Sequence, residues 1–337
     1  MVADTHWRGT SPRGRLDDFW ETCRRKLHEV VALTRELRVD ALLHLGDFFD
    51  RPDLAPGVVR EFAVIMRQCQ VPVYGIAGNH DVYGHNPDTL PRTLLGLMEA
   101  MGGPILLAPG EKVMLTGDVT VQLTGAPFRY DIDDGDGHHY VVDKDPRADV
   151  AIHLAHGMLL EKPWVEGLEY TLIDRVAART QADLTLVGHY HLGYSRLPLE
   201  PVPGHLFVNP GALVRLEASA AEMRRQPQVV LVEARPGARP GAGTVTVRGV
   251  PLRSAEPGEK VLDRAAVEAA ASRDRQLADF IQRIREASDG FRVPSLEDIV
   301  ARIAATQGCS PEVREEALRR IGAVRERLAG GQGGEGS

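Results

Sequence analysis

Five short segments spread along the chain carry metal-ligating side chains, and most directly follow a short apolar run. They are Asp4-Thr5-His6, Gly46-Asp47-Phe48-Phe49-Asp50, Gly78-Asn79-His80-Asp81, Ala155-His156-Gly157 and Gly188-His189-Tyr190-His191. The preceding runs are 40–45, 71–76, 149–154 and 183–187. Short apolar runs bounded by turn residues read as buried strands. In open α/β sheets, sites gather beyond the carboxyl ends of strands. A chain with four such endings must bring them to one rim, so the pattern demands a layered α/β fold. Glycines beside the ligands allow the tight turns this requires. The set offers Asp, His, Asp, Asn, His, His and His. That suffices for two divalent cations sharing one carboxylate, and a bridged pair about 3.5–4 Å apart hydrolyses phosphate esters.

Between these strands the spacing predicts helices over 17–37, 57–69, 88–101 and 170–180, the first with an apolar stripe of Phe19, Leu27, Val30, Val31 and Leu37. Residues 104–107, 112–115 and 119–125 read as strands of an antiparallel edge or second sheet, and 205–208 and 229–234 as further strands. The Gly/Pro-rich stretch 235–243 predicts a hairpin joining 229–234 to 244–249. The polar segment 128–147, with Asp131, Asp133, Asp134, Asp136, His138 and His139, reads as a solvated insertion loop, since it lacks calcium-loop spacing. Pro257-Gly258 marks a boundary. The domain reading is therefore 1–258 as the main body with its C-terminal strands, 259–330 as a helical extension (263–287, 295–306, 311–328), and 331–337 as a disordered tail. Only three residues precede Asp4, so a weak first strand and a start upstream of Met1 are expected.

The net charge of −7 does not advertise nucleic-acid binding, but local patches and a cation pair can override it. No apolar run approaches the ~18 residues of a membrane span. The start lacks a signal-peptide pattern. Cys23, Cys69 and Cys309 are scattered and lie outside the motifs, which suits a reducing cytoplasm. The ligands are nitrogen and oxygen without thiolate, which fits Mn²⁺ or Fe²⁺ better than a Cys-rich zinc site. His44 and His153, inside apolar strands, read as core groups or as supports behind the ligands; His85 reads as a loop residue or a substrate contact.

In order and wording, the five motifs resemble the calcineurin-like metallophosphoesterase superfamily over residues 1 to about 215. That resemblance implies a four-layer α/β/β/α sandwich, here with a small C-terminal helical extension. It implies that Asp4, His6, Asp47 and His191 hold one cation, and Asp47, Asn79, His156 and His189 the other. It gives His80 the role of proton donor or transition-state stabiliser, with Asp81 orienting it and Asp50 standing behind the ligands. Gly-Asp-Phe-Phe-Asp-Arg-Pro and Ile-Ala-Gly-Asn-His-Asp resemble the SbcD-type exonuclease subunits of DNA repair and recombination, in a compact phage-like form. The expected substrate is then DNA, the metal Mn²⁺, the partner an SbcC-type ATPase subunit, and the assembly a homodimer. Arg8, Arg13 and Arg15, after the first motif, form either a solvated basic loop or a contact to the DNA backbone. The apolar stripe of helix 311–328 (Val313, Leu318, Ile321, Val324, Leu328) needs a surface, which a partner coiled coil, a dimer mate or the parent domain could supply. A stand-alone phosphodiesterase or phosphatase for nucleotides or phosphoproteins, and a non-catalytic scaffold, remain open alternatives.

Overall fold

The computed structural model describes residues 1–164, 168–239 and 241–269, with Ser272, Val313, Glu316 and Leu318. The first half contains α1 (Phe19–Glu36), β1 (Leu42–His44), α2 (Pro56–Met66), β2 (Val73–Gly75), α3 (Leu94–Ala100), β3 (Ile105–Leu106), β4 (Lys112–Leu115) and β5 (Val121–Ala126). Then come β6 (Val150–Gly157), β7 (Leu159–Leu160), β8 (Thr171–Leu172), α4 (Ile173–Val176), β9 (Leu184–His189), β10 (Leu199–Val202) and β11 (His205–Val208). The last elements are α5 (Ala220–Arg224), β12 (Gln228–Arg235), β13 (Thr244–Pro251) and α6 (Gly258–Val261).

One sheet has the parallel order β1-β2-β3. Residues 1–3 line its other side, where Val2 bridges His44 in parallel. The first strand is thus a single bridge. Beyond it, Met1 accepts a bond from Val230 N–H at 3.0 Å, which attaches the β12–β13 hairpin. The second sheet runs β10-β11-β9-β6-β5-β4, parallel in its middle with antiparallel edges.

Strand side chains alternate between faces, and the burial follows that period. Val150, Ile152 and Leu154 of β6, with Leu184 and Leu186 of β9, meet Ala3, Leu43, Leu45 and Ile76 in one core between the sheets. On the opposite face of the second sheet, Ala155, Val187 and Phe207 pack on Ile173 and Val176. The outer face of the first sheet is covered by Phe19, Cys23 and Leu27 of α1, Phe62 and Ile65 of α2 and Leu95 of α3. The result is the expected four-layer α/β/β/α arrangement. Asp18 caps α1 by accepting from Glu21 N–H at 3.1 Å. Pro56 opens α2, where the missing N–H costs nothing.

Several expectations change. Residues 88–101 split into a 3₁₀ turn, Pro87–Arg92, and α3. Residues 170–180 hold only β8 and the single turn of α4. Of the three segments 104–107, 112–115 and 119–125, the first becomes β3 of the first sheet, parallel to β2, while β4 and β5 pair antiparallel in the second sheet. Segment 128–147 is no solvated loop, because Ile132 and Tyr140 are buried in the outer core. Asp133 pins it, accepting from Tyr140 Oη at 2.7 Å and Met158 N–H at 2.7 Å. The chain also continues past the expected boundary without a break in packing. Val261, Leu262 and Val267 cluster together, with Ala218 and Met223 packed against them. The expected helices beyond 269 and the tail lie outside the described residues, except that Leu318 is buried and Val313 exposed.

Candidate metal centre

All seven expected ligands lie at one end of the two sheets. The first two motifs are zipped together. His6 N–H donates to Asp47 O at 3.0 Å, and Trp7 bridges Phe49 in parallel. His156 and His189 do not sit on loops after strands; His156 is the next-to-last residue of β6 and His189 the last of β9, in register as His156↔Gly188 and Gly157↔His189. Even-numbered positions of β6 point between the sheets, which aims His156 at the first sheet.

Asp4, His6, Asp47 and His191 present ligand atoms mutually within 4.8 Å, and so do Asp47, His156 and His189. Asp47 belongs to both groups. Its Oδ2 lies 3.4 Å from His6 Nε2 and 3.4 Å from His156 Nε2. Its Oδ1 accepts from His80 N–H at 2.9 Å, so the free oxygen faces both histidines. Asn79 Oδ1 lies 3.1 Å from His156 Nε2, and His191 Nε2 lies 2.9 Å from His6 Nε2. Asp4 accepts from His189 N–H at 3.0 Å through Oδ1, which leaves Oδ2 pointing inward.

Several of these atoms are costly as they stand. Asp4 Oδ2, Asp47 Oδ2 and His6 Nδ1 are buried and have no hydrogen-bond partner. Buried polar atoms without partners are rare in folded proteins. Burial, opposed by His156 but aided by Asp47, pushes the Asp4 carboxyl up to about 7. Asp47 is held well below its ordinary range, because His156 and His6 outweigh its desolvation. Burial lowers His189 to about 3 and His191 to about 4, and takes His6 well below 6.5, so these rings are neutral with lone pairs free. His156 Nδ1 donates to Leu45 O at 2.7 Å, which directs its Nε2 inward as the ligating atom. Against its burial, Asp47 and Asp4 hold His156 up at about 9, so a cation there would displace its proton. Two converging groups of carboxylate oxygens and imidazoles, joined by one carboxylate, fit a pair of divalent cations.

The backbone is bent to achieve this. Asp4 (φ 48°), His6 (φ 39°), Asp47 (φ 52°) and His189 (φ 84°) are left-handed, which is uncommon for residues with a Cβ. Such conformations cost about 1–3 kcal/mol each and persist where the surroundings over-determine them. Gly78 is required by space, since a Cβ there would lie 2.1 Å from Asp47 Oδ1.

Residues 1–193 match the calcineurin-like phosphoesterase family. The chain belongs to that family. This phosphoesterase is also 33% identical over 140 residues to the DNA double-strand break repair protein Mre11 of Aeropyrum pernix. That stretch covers 38% of this chain and 32% of that protein, so the chain spans about a third of its relative's length. Among solved structures it is similar to the calcineurin-like phosphoesterase YfkN from Bacillus subtilis (15% identity, TM-score 0.46, covering 84% of this chain and 97% of that one). It is also similar to a dimetal phosphatase from Danio rerio (13% identity, TM-score 0.39, covering 61% and 84%).

Around the ligands, the structure reassigns two residues of the phosphoesterase. Asp81 does not orient His80. Its carboxylate is fully buried and accepts Gly78 N–H at 2.9 Å, Phe49 N–H at 3.1 Å and Phe48 N–H at 3.3 Å. It ties the two central ligand loops together. His80 is instead oriented by the backbone, its Nδ1 donating to Asp50 O at 2.9 Å. The Asp50 carboxylate lies 3.7 Å from His6 Nδ1 and 3.0 Å from Arg8. Arg15 is the second correction. Its side chain is buried, bound to the Asp17 carboxylate at 2.8 Å and to Arg215 O at 3.1 Å, and cannot meet a phosphate backbone. Arg13 is exposed. His44 and His153 are core groups, bonded to Thr5 at 3.1 Å and Thr124 at 2.9 Å.

One support escaped the sequence reading. Asn209-Pro210-Gly211 follows strand β11 with the same strand-then-turn pattern as the ligand motifs. Buried Asn209 donates to Tyr190 O at 3.0 Å, and Ala212 N–H donates to His191 O at 2.9 Å, which fixes the last motif. Leu213 N–H reaches Ala3 O at 3.0 Å on the other side. Buried Lys26 Nζ donates to Leu213 O at 2.8 Å, and Arg225 to Val214 O at 2.8 Å.

Proposed function

We propose that this phosphoesterase is a manganese-dependent DNA nuclease of the SbcD type. In that reading it acts in the cytoplasm as a homodimer with an SbcC-type ATPase subunit. The phosphoester chemistry rests on one observation: Asp47 Oδ2 stands 3.4 Å from an imidazole of each ligand group. The DNA branch is supported by the 33% identity to a double-strand break repair protein over 140 residues. Asp4, His6, Asp47 and His191 would hold one cation; Asp47, Asn79, His156 and His189 would hold the other. When bound, such a pair polarises a phosphoryl oxygen and lowers the pKa of a water.

The chain's own residues supply the rest. The Asp50 carbonyl fixes the His80 ring, and the main-chain N–H of His80 donates to Asp47 Oδ1, so His80 moves with the ligand loop. A protonated His80 keeps its Nδ1–H on that carbonyl and presents Nε2–H to the departing oxygen. A depression of about 300 Å³ lies beside it, lined by Asp50, Arg51, Asn79, His80, Tyr83 and His85, and can admit the leaving group.

A stand-alone phosphodiesterase is the second reading. It is favoured by the engagement of Arg8 and Arg15 with internal carboxylates, which leaves fewer cations at the rim. To decide, metal-stripped protein is given Mn²⁺ and end-labelled linear duplex DNA, beside His80→Ala and a small bis-phosphodiester. Loss of DNA cleavage in the variant supports the nuclease. Turnover of the small diester with DNA untouched, even after an SbcC-type subunit is added, sinks it.

A further inference from the structure

Trp164 is out of place for its residue type. Tryptophans are highly buried on average, and here Trp7 is 1% exposed whereas Trp164 is 48% exposed. Among the described residues it is the only aromatic side chain among the large exposed apolar ones. Its location is specific. From His156 near the end of β6 the chain runs through the buried pair Leu159 and Leu160 of β7 to Trp164. The Trp164 ring stands edge-on to Tyr190, with centroids 6.0 Å apart and planes at 69°. Tyr190 sits between two of the ligand histidines, and its carbonyl is fixed by Asn209 at 3.0 Å and Gly193 N–H at 3.1 Å. Leu192, next to His191, is also exposed at 38%. On the other flank, the Phe128 ring lies 6.2 Å from that of His189. The rim of the phosphate-cleaving centre therefore carries aromatic surface, with the Trp164 ring exposed and the Tyr190 and Phe128 rings half-buried.

We propose that Trp164 and Tyr190 form a stacking platform for the nucleobase next to the scissile phosphodiester. The proposal builds on the nuclease reading and names what its site grips. The ligand class is single-stranded or frayed nucleic acid, since a paired base has its faces covered by neighbours. Stacking is tolerant of sequence, because every base presents a π-face. Recognition by stacking also fits a chain of net charge −7 in which Arg8 and Arg15 are engaged by carboxylates.

The test compares a short oligothymidylate with an abasic oligomer of equal length. Wild-type protein should cleave the base-bearing strand with a KM about 5- to 150-fold lower than the abasic one, the range that stacking of one base supplies. Trp164→Ala should collapse that ratio towards one mainly through KM, and Trp164→Phe should restore part of it. Tryptophan fluorescence should be quenched by the base-bearing strand, not by the abasic one, and Trp164→Phe should abolish the quench. An unchanged ratio in Trp164→Ala, with DNA still cleaved, overturns the platform and leaves the nuclease reading intact. Such a result would mark the patch as a surface for a protein partner. Turnover of small phosphoesters with no oligonucleotide cleaved, with or without the ATPase subunit, would instead overturn the nuclease reading.

Discussion

Replacing Asp81 with Asn separates a structural carboxylate from a catalytic one. Oδ2 accepts two backbone N–H groups, at 2.9 and 3.3 Å, and Oδ1 accepts a third at 3.1 Å. An amide keeps one oxygen. With that oxygen toward Gly78, the new NH₂ faces Phe49 N–H, donor against donor. One buried donor left unpaired costs about 1–3 kcal/mol. The two remaining bonds lose their ionic character, and charge-assisted bonds are roughly twice as strong as neutral ones. Against this, burial and the nearby Asp47 push the Asp81 carboxyl up to about 7, so the neutral amide relieves some desolvation and repulsion. Cations bound at Asp47 favour the ionised carboxylate and cancel that relief, so in the metal-loaded protein the loss of about 1–3 kcal/mol remains, equivalent to about 2–12 °C in Tm for a body of this size. The assay is thermal unfolding at pH 8 in saturating manganese, where the carboxylate is ionised, alongside manganese stoichiometry and kcat measured well below Tm. Asp81→Asn should unfold earlier and bind cations less tightly. A Tm equal to wild type together with a collapsed kcat would refute the reasoning, and would return Asp81 to a role acting through His80.

Other consequences are as direct. Gly78→Ala should lose bound cation and at least 100-fold in activity, since its Cβ would meet Asp47 Oδ1 at 2.1 Å; full metal occupancy would contradict this. His80→Gln should lower kcat by about 10²–10⁴-fold for an alkoxide leaving group, and far less for p-nitrophenolate, which needs no proton; equal losses would remove its role as acid. Manganese should raise Tm over chelator-treated protein, because binding only to the folded state adds about 2.7 kcal/mol at 100 times Kd; a Tm insensitive to manganese would mean the site does not take it. Burial lowers buried Lys26 to about 7, so the unfolded chain binds more protons between about pH 7 and 10.5. Stability should therefore rise with pH in that window, by up to about 1.4 kcal/mol per unit, and that contribution is lost as pH falls through about 7. Lys26→Met should abolish this slope in urea unfolding at pH 7 and 9.5, and a parallel shift at both pH values would rule the titration out.

The chain's linear pattern already determined the strand-and-ligand grammar. Each apolar run is short enough to be only a buried strand, and each ends on residues that are costly to bury unless something binds them. Four such runs and seven ligands leave little choice but one rim and a layered α/β fold. Tertiary structure decided what linear spacing cannot carry, namely which atom of each residue faces which neighbour. Asp50 and Asp81 look alike in sequence, each a few residues past a ligand. One is aimed at His6 and Arg8, and the other is sunk among three backbone N–H groups. Arg8, Arg13 and Arg15 read as one basic loop until the backbone turns Arg15 inward onto Asp17. The polar run 128–147 hid Ile132 and Tyr140, whose burial depends on a helix turn and two strands that arrive from elsewhere in the chain. The Asp50 and Leu45 carbonyls that orient His80 and His156 have no side-chain signature, because every residue has a carbonyl and only the fold determines where it points.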